Sequence, residues 1–177
     1  MPGYTRLKIS TLGPTGTCSE YSSEFFLETR GCKGDIFLYD SFEEAIEALC
    51  KNYSDMAIVP SAYQNFARLV FDNRDLVKVT HSFIYKTPDL AIAAKTNYLP
   101  AKPRIATHPS PSSMVKDFSP DAEVVFASSN SKAAIMLVDG EVDACITNNI
   151  CINNYGLTII KNFGPIPMSW NIFERID

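Results

Sequence analysis

The sequence predicts an α/β fold of two similar lobes, each built on a mostly parallel sheet. Three observations point there. Short apolar, β-branched runs alternate along the chain with stretches of helical period. Alternating βαβ units of this length imply parallel strands. The two halves also echo each other. Ser41-x-x-x-Ala45 reaches Asp55-x-Ala57-Ile58 across the same interval that separates Ser129-x-x-x-Ala133 from Asp143-x-Cys145-Ile146. In each half a Ser-led helix feeds a buried strand that starts with Asp.

The elements follow in order. Leu7 to Leu12 reads as a strand, Gly13 to Thr17 as a loop, Ser19 to Thr29 as a helix and Ile36 to Tyr39 as a second strand. Ser41-Phe42-Glu43-Glu44 is a capping box that opens a helix through Leu49. Asp55 to Pro60 is a buried strand stopped by its proline. Lys78 to Lys86 and Leu90 to Ala94 are strand-like and are expected to cross between lobes. Strands at Arg104–Thr107, Glu123–Ala127, Ala144–Thr147 and Leu157–Lys161 alternate with helices at Pro109–Phe118, Ser129–Val138 and Asn148–Tyr155, the last two ended by Gly140 and Gly156. The expected lobes are residues 1–80 with 166–177, and residues 81–165, and they share a cleft. Ligands of such sheets bind at the carboxyl ends of the strands.

Composition excludes several classes. The chain has 177 residues, 46% hydrophobic and 20% charged, with a formal charge of −4. That is ordinary globular composition and offers no basic face for nucleic acid. Lys and Arg are scattered, so no membrane-surface patch is expected, and no apolar run approaches a membrane span. Cys18, Cys32, Cys50, Cys145 and Cys151 include no C-x-x-C pair and have no His nearby, so no metal site is predicted. Their odd number fits a reducing compartment. The N-terminus lacks an apolar leader. A cytoplasmic location is expected.

Three loops each follow a strand and open a helix. They are Gly13-Pro14-Thr15-Gly16-Thr17-Cys18-Ser19, His108-Pro109-Ser110-Pro111-Ser112 and Ser128-Ser129-Asn130-Ser131. Backbone N–H groups and hydroxyls at a helix N-terminus suit a carboxylate or phosphate. Plain helix capping is the alternative. The candidate substrate contacts are Thr15, Gly16, Thr17 and Ser19 of the first loop, Ser110 of the second, and Ser129, Asn130 and Ser131 of the third. His108, between a strand end and a proline, is suited to proton transfer or substrate contact, or else only to hydrogen-bonding its loop. Glu43 and Glu44 read as surface charges. The terminal stretch Gly164 to Phe173 holds the only tryptophan and two prolines. Met168 and Trp170 are placed either to wall a pocket for a cyclic substrate or to close the core.

Several segments resemble the prephenate dehydratase family. Thr11-Leu12-Gly13-Pro14-Thr15-Gly16-Thr17-Cys18-Ser19-Glu20 is similar to its opening motif. Ser41 to Ile46 with Asp55 to Pro60, Thr107-His108-Pro109, Ser128 to Ala134 and Tyr155-Gly156-Leu157 follow in the family's order. The resemblance implies the two-lobed periplasmic-binding-protein-like fold, with the C-terminal strand completing the first lobe, no cofactor, and a homodimer. The departures are specific. The family's Thr-Arg-Phe motif, whose Thr assists loss of the ring hydroxyl, corresponds here to Phe173 and Glu174. Its P-x-E-N-S segment becomes Pro60-Ser61-Ala62-Tyr63-Gln64-Asn65. No regulatory ACT domain follows, so phenylalanine feedback is not expected.

Val59-Pro60-Ser61-Ala62-Tyr63, His108-Pro109-Ser110-Pro111 and Ile166-Pro167-Met168-Ser169-Trp170 resemble a branch of that family, the non-aromatising prephenate decarboxylases of the bacilysin pathway and related antibiotic biosynthesis. The resemblance implies loss of CO2 from prephenate with the hydroxyl retained. His108, Tyr63 and Ser61 are then the catalytic candidates, and Met168, Trp170 and Phe173 line the substrate. The alternatives are a divergent dehydratase that makes phenylpyruvate and a binding protein without catalysis.

Overall fold

The computed structural model describes residues 6–176. In chain order the elements are β1 (Leu7–Leu12), α1 (Cys18–Thr29), β2 (Gly34–Tyr39), α2 (Phe42–Cys50), β3 (Met56–Pro60), α3 (Phe66–Asp72), β4 (Val77–Lys86) and β5 (Leu90–Ala94). There follow β6 (Arg104–Thr107), α4 (Ser112–Phe118), β7 (Glu123–Phe126), α5 (Asn130–Asp139), β8 (Ala144–Asn148), α6 (Asn149–Tyr155), β9 (Thr158–Gly164) and β10 (Pro167–Arg175). The chain forms two compact units, Met1–Tyr85 with Pro167–Asp177, and Lys86–Ile166.

The first unit holds a five-stranded sheet in the order β2-β1-β3-β10-β4. β1 pairs parallel with β2 and β3, and β10 returns antiparallel to β3 with Trp170 opposite Pro60 and Phe173 opposite Ala57. The second unit repeats the plan in the order β7-β6-β8-β5-β9. There β6 pairs parallel with β7 and β8, and β5 lies antiparallel to β8. The internal echo in the sequence is therefore an echo of topology. β3, β5 and β8 are buried at every position, as strands covered on both faces must be. Each sheet carries an apolar cluster on either face. In the first unit Leu12, Phe42, Ile46, Leu49 and Phe173 fill one side, and Ile9, Phe26, Ile58, Trp170 and Ile172 fill the other. Each such side chain, fully buried, stabilises the fold by about 1.5–3 kcal/mol.

Both sheets are mixed where the sequence reading expected mostly parallel strands, and two elements also differ from that reading. α3 fills a stretch to which the reading gave no element. It is seven residues long, and its N-cap Asn65 makes no side-chain capping bond. α4 starts at Ser112 rather than Pro109. Residues preceding proline are pushed out of the α region, and both His108 and Ser110 precede one. The chain therefore makes a turn, Ser112 N–H to Pro109 O at 3.2 Å, before the helix begins.

Candidate functional site

In each unit the loops that follow the parallel strands gather at one edge of the sheet, where α/β sheets bind ligands. In the first unit this edge carries Gly13–Thr17, Asp40–Ser41, Ser61–Tyr63 and the start of β10. Gly13 packs so closely on β2 that a Cβ there would stand 3.0 Å from Leu38 Cβ. Its N–H bonds Tyr39 O at 2.8 Å. Gly16 has φ 91°, a left-handed conformation that favours glycine. Thr17 caps α1 by accepting from Glu20 N–H at 3.2 Å, while its own hydroxyl donates to Leu12 O at 2.8 Å. Glu20 reaches back to accept from Gly16 N–H at 2.6 Å. α2 uses the same device, with Ser41 as cap and Glu44 accepting from Asp40 N–H. At both helix starts the protein's own carboxylate already occupies a place that a bound anion would take. The first loop thus combines the two sequence readings, since the anion it holds is Glu20.

Ser61 and Tyr63 stand just beyond β3. Ser61 N–H and Oγ both donate to Ser169 O at 3.0 Å, and the two hydroxyl oxygens lie 2.6 Å apart. Tyr63 donates to Glu43 Oε1 and Oε2 at 2.7 and 2.9 Å and accepts from Asn65 Nδ2 at 3.4 Å. Burial, then the Glu43 carboxylate, push the phenol up to about 12. Glu43, read from sequence as a solvent charge, grips the phenol of a catalytic candidate. Nothing in the local pattern signals this, because the partners are brought together by the packing of α2 on β3.

The second unit's edge is differently equipped. His108 N–H donates to Asn130 Oδ1 at 3.3 Å, and Ser110 N–H donates to His108 Nδ1 at 3.3 Å. Nδ1 is therefore an acceptor, and the neutral ring carries its proton on Nε2. Burial lowers the His108 pKa, so the neutral form dominates near pH 7 and the ring is a hydrogen-bond donor more than an acid. Ser129 caps α5 by accepting from Lys132 N–H at 3.0 Å. The residue at the third helical position, a glutamate in α1 and α2, is a lysine here, so no capping-box carboxylate fills this N-terminus. Ser131 is buried and accepts from Cys151 Sγ at 3.5 Å. Thr147 Oγ1 and Asn149 Oδ1, near the same edge, are buried without a hydrogen-bond partner. Sequence reasoning missed both, since neither belongs to a recognisable motif. Thr15 and Ser110 are exposed, and Ser19 is buried with its carbonyl accepting from Ser22 and Ser23.

The terminal strand separates what the sequence reading had grouped. Strand side chains alternate, so Met168, Trp170 and Ile172 share the α1 face of the sheet, and Phe173 lies on the face of α2 and α3. Phe173 is 1% exposed, its ring 5.8 Å from that of Phe66. It pairs with Ala57, three residues or about 10 Å short of the end of β3. Trp170 is equally buried, edge-on to Tyr85 at 6.4 Å, and its indole N–H has no partner. His81 is exposed on the edge strand β4.

Residues 9–163 match the family model described as prephenate dehydratase. The chain belongs to the prephenate dehydratase family. It is 32% identical to the prephenate decarboxylase of Bacillus subtilis (strain 168), over 97% of this chain and 88% of that protein. It is 30% identical to the prephenate decarboxylase of Planktothrix agardhii (strain NIVA-CYA 126/8), over 98% and 91%. Solved structures agree on the fold. A prephenate dehydratase from Arthrobacter aurescens, in complex with L-Phe, superposes with a TM-score of 0.73 at 18% identity. That alignment covers 97% of this chain and 61% of that longer one. A periplasmic substrate-binding protein of an ABC transporter from Coxiella burnetii gives a TM-score of 0.61 at 15% identity, over 96% and 84%. The fold is thus α/β and of the periplasmic-binding-protein type, as the family resemblance implied. Among the described residues no cluster of His, Cys, Asp and Glu is arranged to hold a metal ion, and no helix is long and apolar enough to cross a membrane. Among the described residues no two cysteines are joined in a disulfide.

Proposed function

We propose that this member of the prephenate dehydratase family is a prephenate decarboxylase, a lyase that removes the ring carboxylate of prephenate as CO2 and leaves the ring hydroxyl in place. The bond from ring carbon to carboxylate breaks, its electron pair enters the ring diene, and one proton adds at a ring carbon. The product is a dihydro-4-hydroxyphenylpyruvate. A dehydratase would place that proton on the hydroxyl, lose water and make an aromatic ring.

One observation carries the reading. By the motif resemblance Phe173 stands in place of the family's hydroxyl-expelling Thr, and its side chain has no hydrogen to donate and is sealed in an apolar core. The relatedness over nearly the whole chain to proteins named prephenate decarboxylase supports the same conclusion.

The loops suggest roles. The α5 start, with Ser129, Asn130 and Ser131 and no capping carboxylate, is the place for the pyruvyl carboxylate. His108, neutral with its proton on Nε2, hydrogen-bonds a carboxylate or steers the departing one. The resemblance to the bacilysin branch further supports a cytoplasmic homodimer working in antibiotic biosynthesis. Incubation with prephenate tests the reaction. CO2 with a non-aromatic keto acid is expected. Phenylpyruvate as the main product would make the chain a dehydratase, and binding without turnover would make it a binding protein.

A further inference from the structure

Tyr63 has one proton to give and two lone pairs to offer. The fold commits the proton, since the phenol donates to both Glu43 oxygens at 2.7 and 2.9 Å. Asn65 Nδ2 occupies one lone pair from 3.4 Å. The ring is braced on Phe42, centroids 4.8 Å apart. Its backbone N–H bonds Pro60 O at 3.1 Å, which keeps the residue just beyond the end of β3. One lone pair remains. Towards any further partner Tyr63 is an acceptor only.

That polarity bears directly on where the reaction's proton goes. Loss of CO2 from prephenate leaves an electron pair in the ring, and both possible outcomes take up one proton. Delivered to the ring hydroxyl, it releases water and aromatises the ring. Delivered to a ring carbon, it leaves the hydroxyl. A group that expels the hydroxyl must donate to its oxygen. A group that accepts the hydroxyl's hydrogen builds negative charge on that oxygen and makes it a poorer leaving group.

Resting on the decarboxylase reading above, we infer that Glu43 is a positioning residue that sets the product. By holding the Tyr63 proton it leaves Tyr63 to accept a hydrogen bond from the substrate hydroxyl, which is thereby retained. Glu43 acts only through Tyr63. With Glu43 gone, Tyr63 recovers a donor and can protonate the leaving oxygen.

The experiment is a product analysis of wild type, Glu43→Ala, Tyr63→Phe and the Glu43→Ala/Tyr63→Phe double variant with prephenate, separating phenylpyruvate from the non-aromatic keto acid by chromatography. Glu43→Ala should raise the phenylpyruvate fraction at least tenfold over wild type, and the rise should vanish in the double variant. Glu43 is exposed, so the alanine should fold; Glu43→Gln, a weaker acceptor of the same shape, should shift the ratio the same way by less. An unchanged ratio in both Glu43 variants at measurable turnover overturns the inference and leaves the decarboxylase reading standing. A rise that persists without the Tyr63 hydroxyl overturns it too, as does loss of all turnover in both Glu43 variants. Phenylpyruvate as the main wild-type product instead fails the underlying reading.

Discussion

Restoring the dehydratase residue at position 173 tests sequence logic against structure. Aligned motifs alone make Phe173→Thr a switch of product. The structure makes it first a core mutation. The substitution removes about five carbons from a fully buried side chain, and at about 0.8 kcal/mol per buried carbon that is ~4 kcal/mol. The edge contact with Phe66 contributes ~1 kcal/mol more. Partial collapse of the neighbouring side chains offsets some of this, and a buried threonine hydroxyl without an acceptor adds to it. We expect a loss of about 4 kcal/mol, a large share of a typical domain's 5–15 kcal/mol. Trp170, the only tryptophan, is buried on the same strand and reports on this unit directly. With a urea slope of ~2 kcal/mol/M, the fluorescence midpoint should fall by about 2 M. Phe173→Leu should fall by about half as much or less. A midpoint shift under ~0.5 M for Phe173→Thr would refute the placement of Phe173 in the core. Glu174→Arg, at a partly exposed position, should move the midpoint little.

Other outcomes follow from the same geometry. His108→Ala should lower kcat/KM for prephenate at least tenfold, about 1.4 kcal/mol of transition-state stabilisation, in steady-state assays of a folded protein. Because burial depresses the His108 pKa, its neutral form contributes stability above the unfolded value of about 6.5, and that contribution is lost as pH falls below it. Urea midpoints at pH 7.5 and 5.5 should therefore drop more in wild type than in His108→Gln. Ser129→Ala should cost about 1 kcal/mol through loss of the α5 cap and should raise KM more than it lowers kcat. Glu20→Ala removes the carboxylate that satisfies Gly16 N–H, and thermal melts should show a loss of about 0.5–2 kcal/mol.

Much of the fold was legible because its signals are local. The period of apolar residues from Ile9 to Leu12 and from Ala57 to Pro60 marks strands, and Ser41 with Glu44 marks a helix start, through atoms within a few residues of each other. The topological echo of the two sheets was visible as a repeated interval. α3 was not, and the reading gave its stretch no element. For the site, sequence sufficed to mark loops with free hydroxyls and N–H groups, and could not tell which were already satisfied. Thr17 and Ser129 look alike as helix caps. The difference between them is one side chain three positions into the helix, Glu20 against Lys132, and what that side chain reaches.

By itself, then, the sequence determined the fold class and the family. These are carried by patterning and by residue identity at aligned positions. Tertiary structure alone decided which face each residue takes. A strand alternates its side chains, so Trp170 and Phe173, three residues apart, pack in opposite cores of one sheet. It also decided the pairing of Tyr63 with Glu43, twenty residues away, because a hydrogen bond between α2 and the loop after β3 depends on how the helix docks on the sheet and not on anything near either residue in the chain.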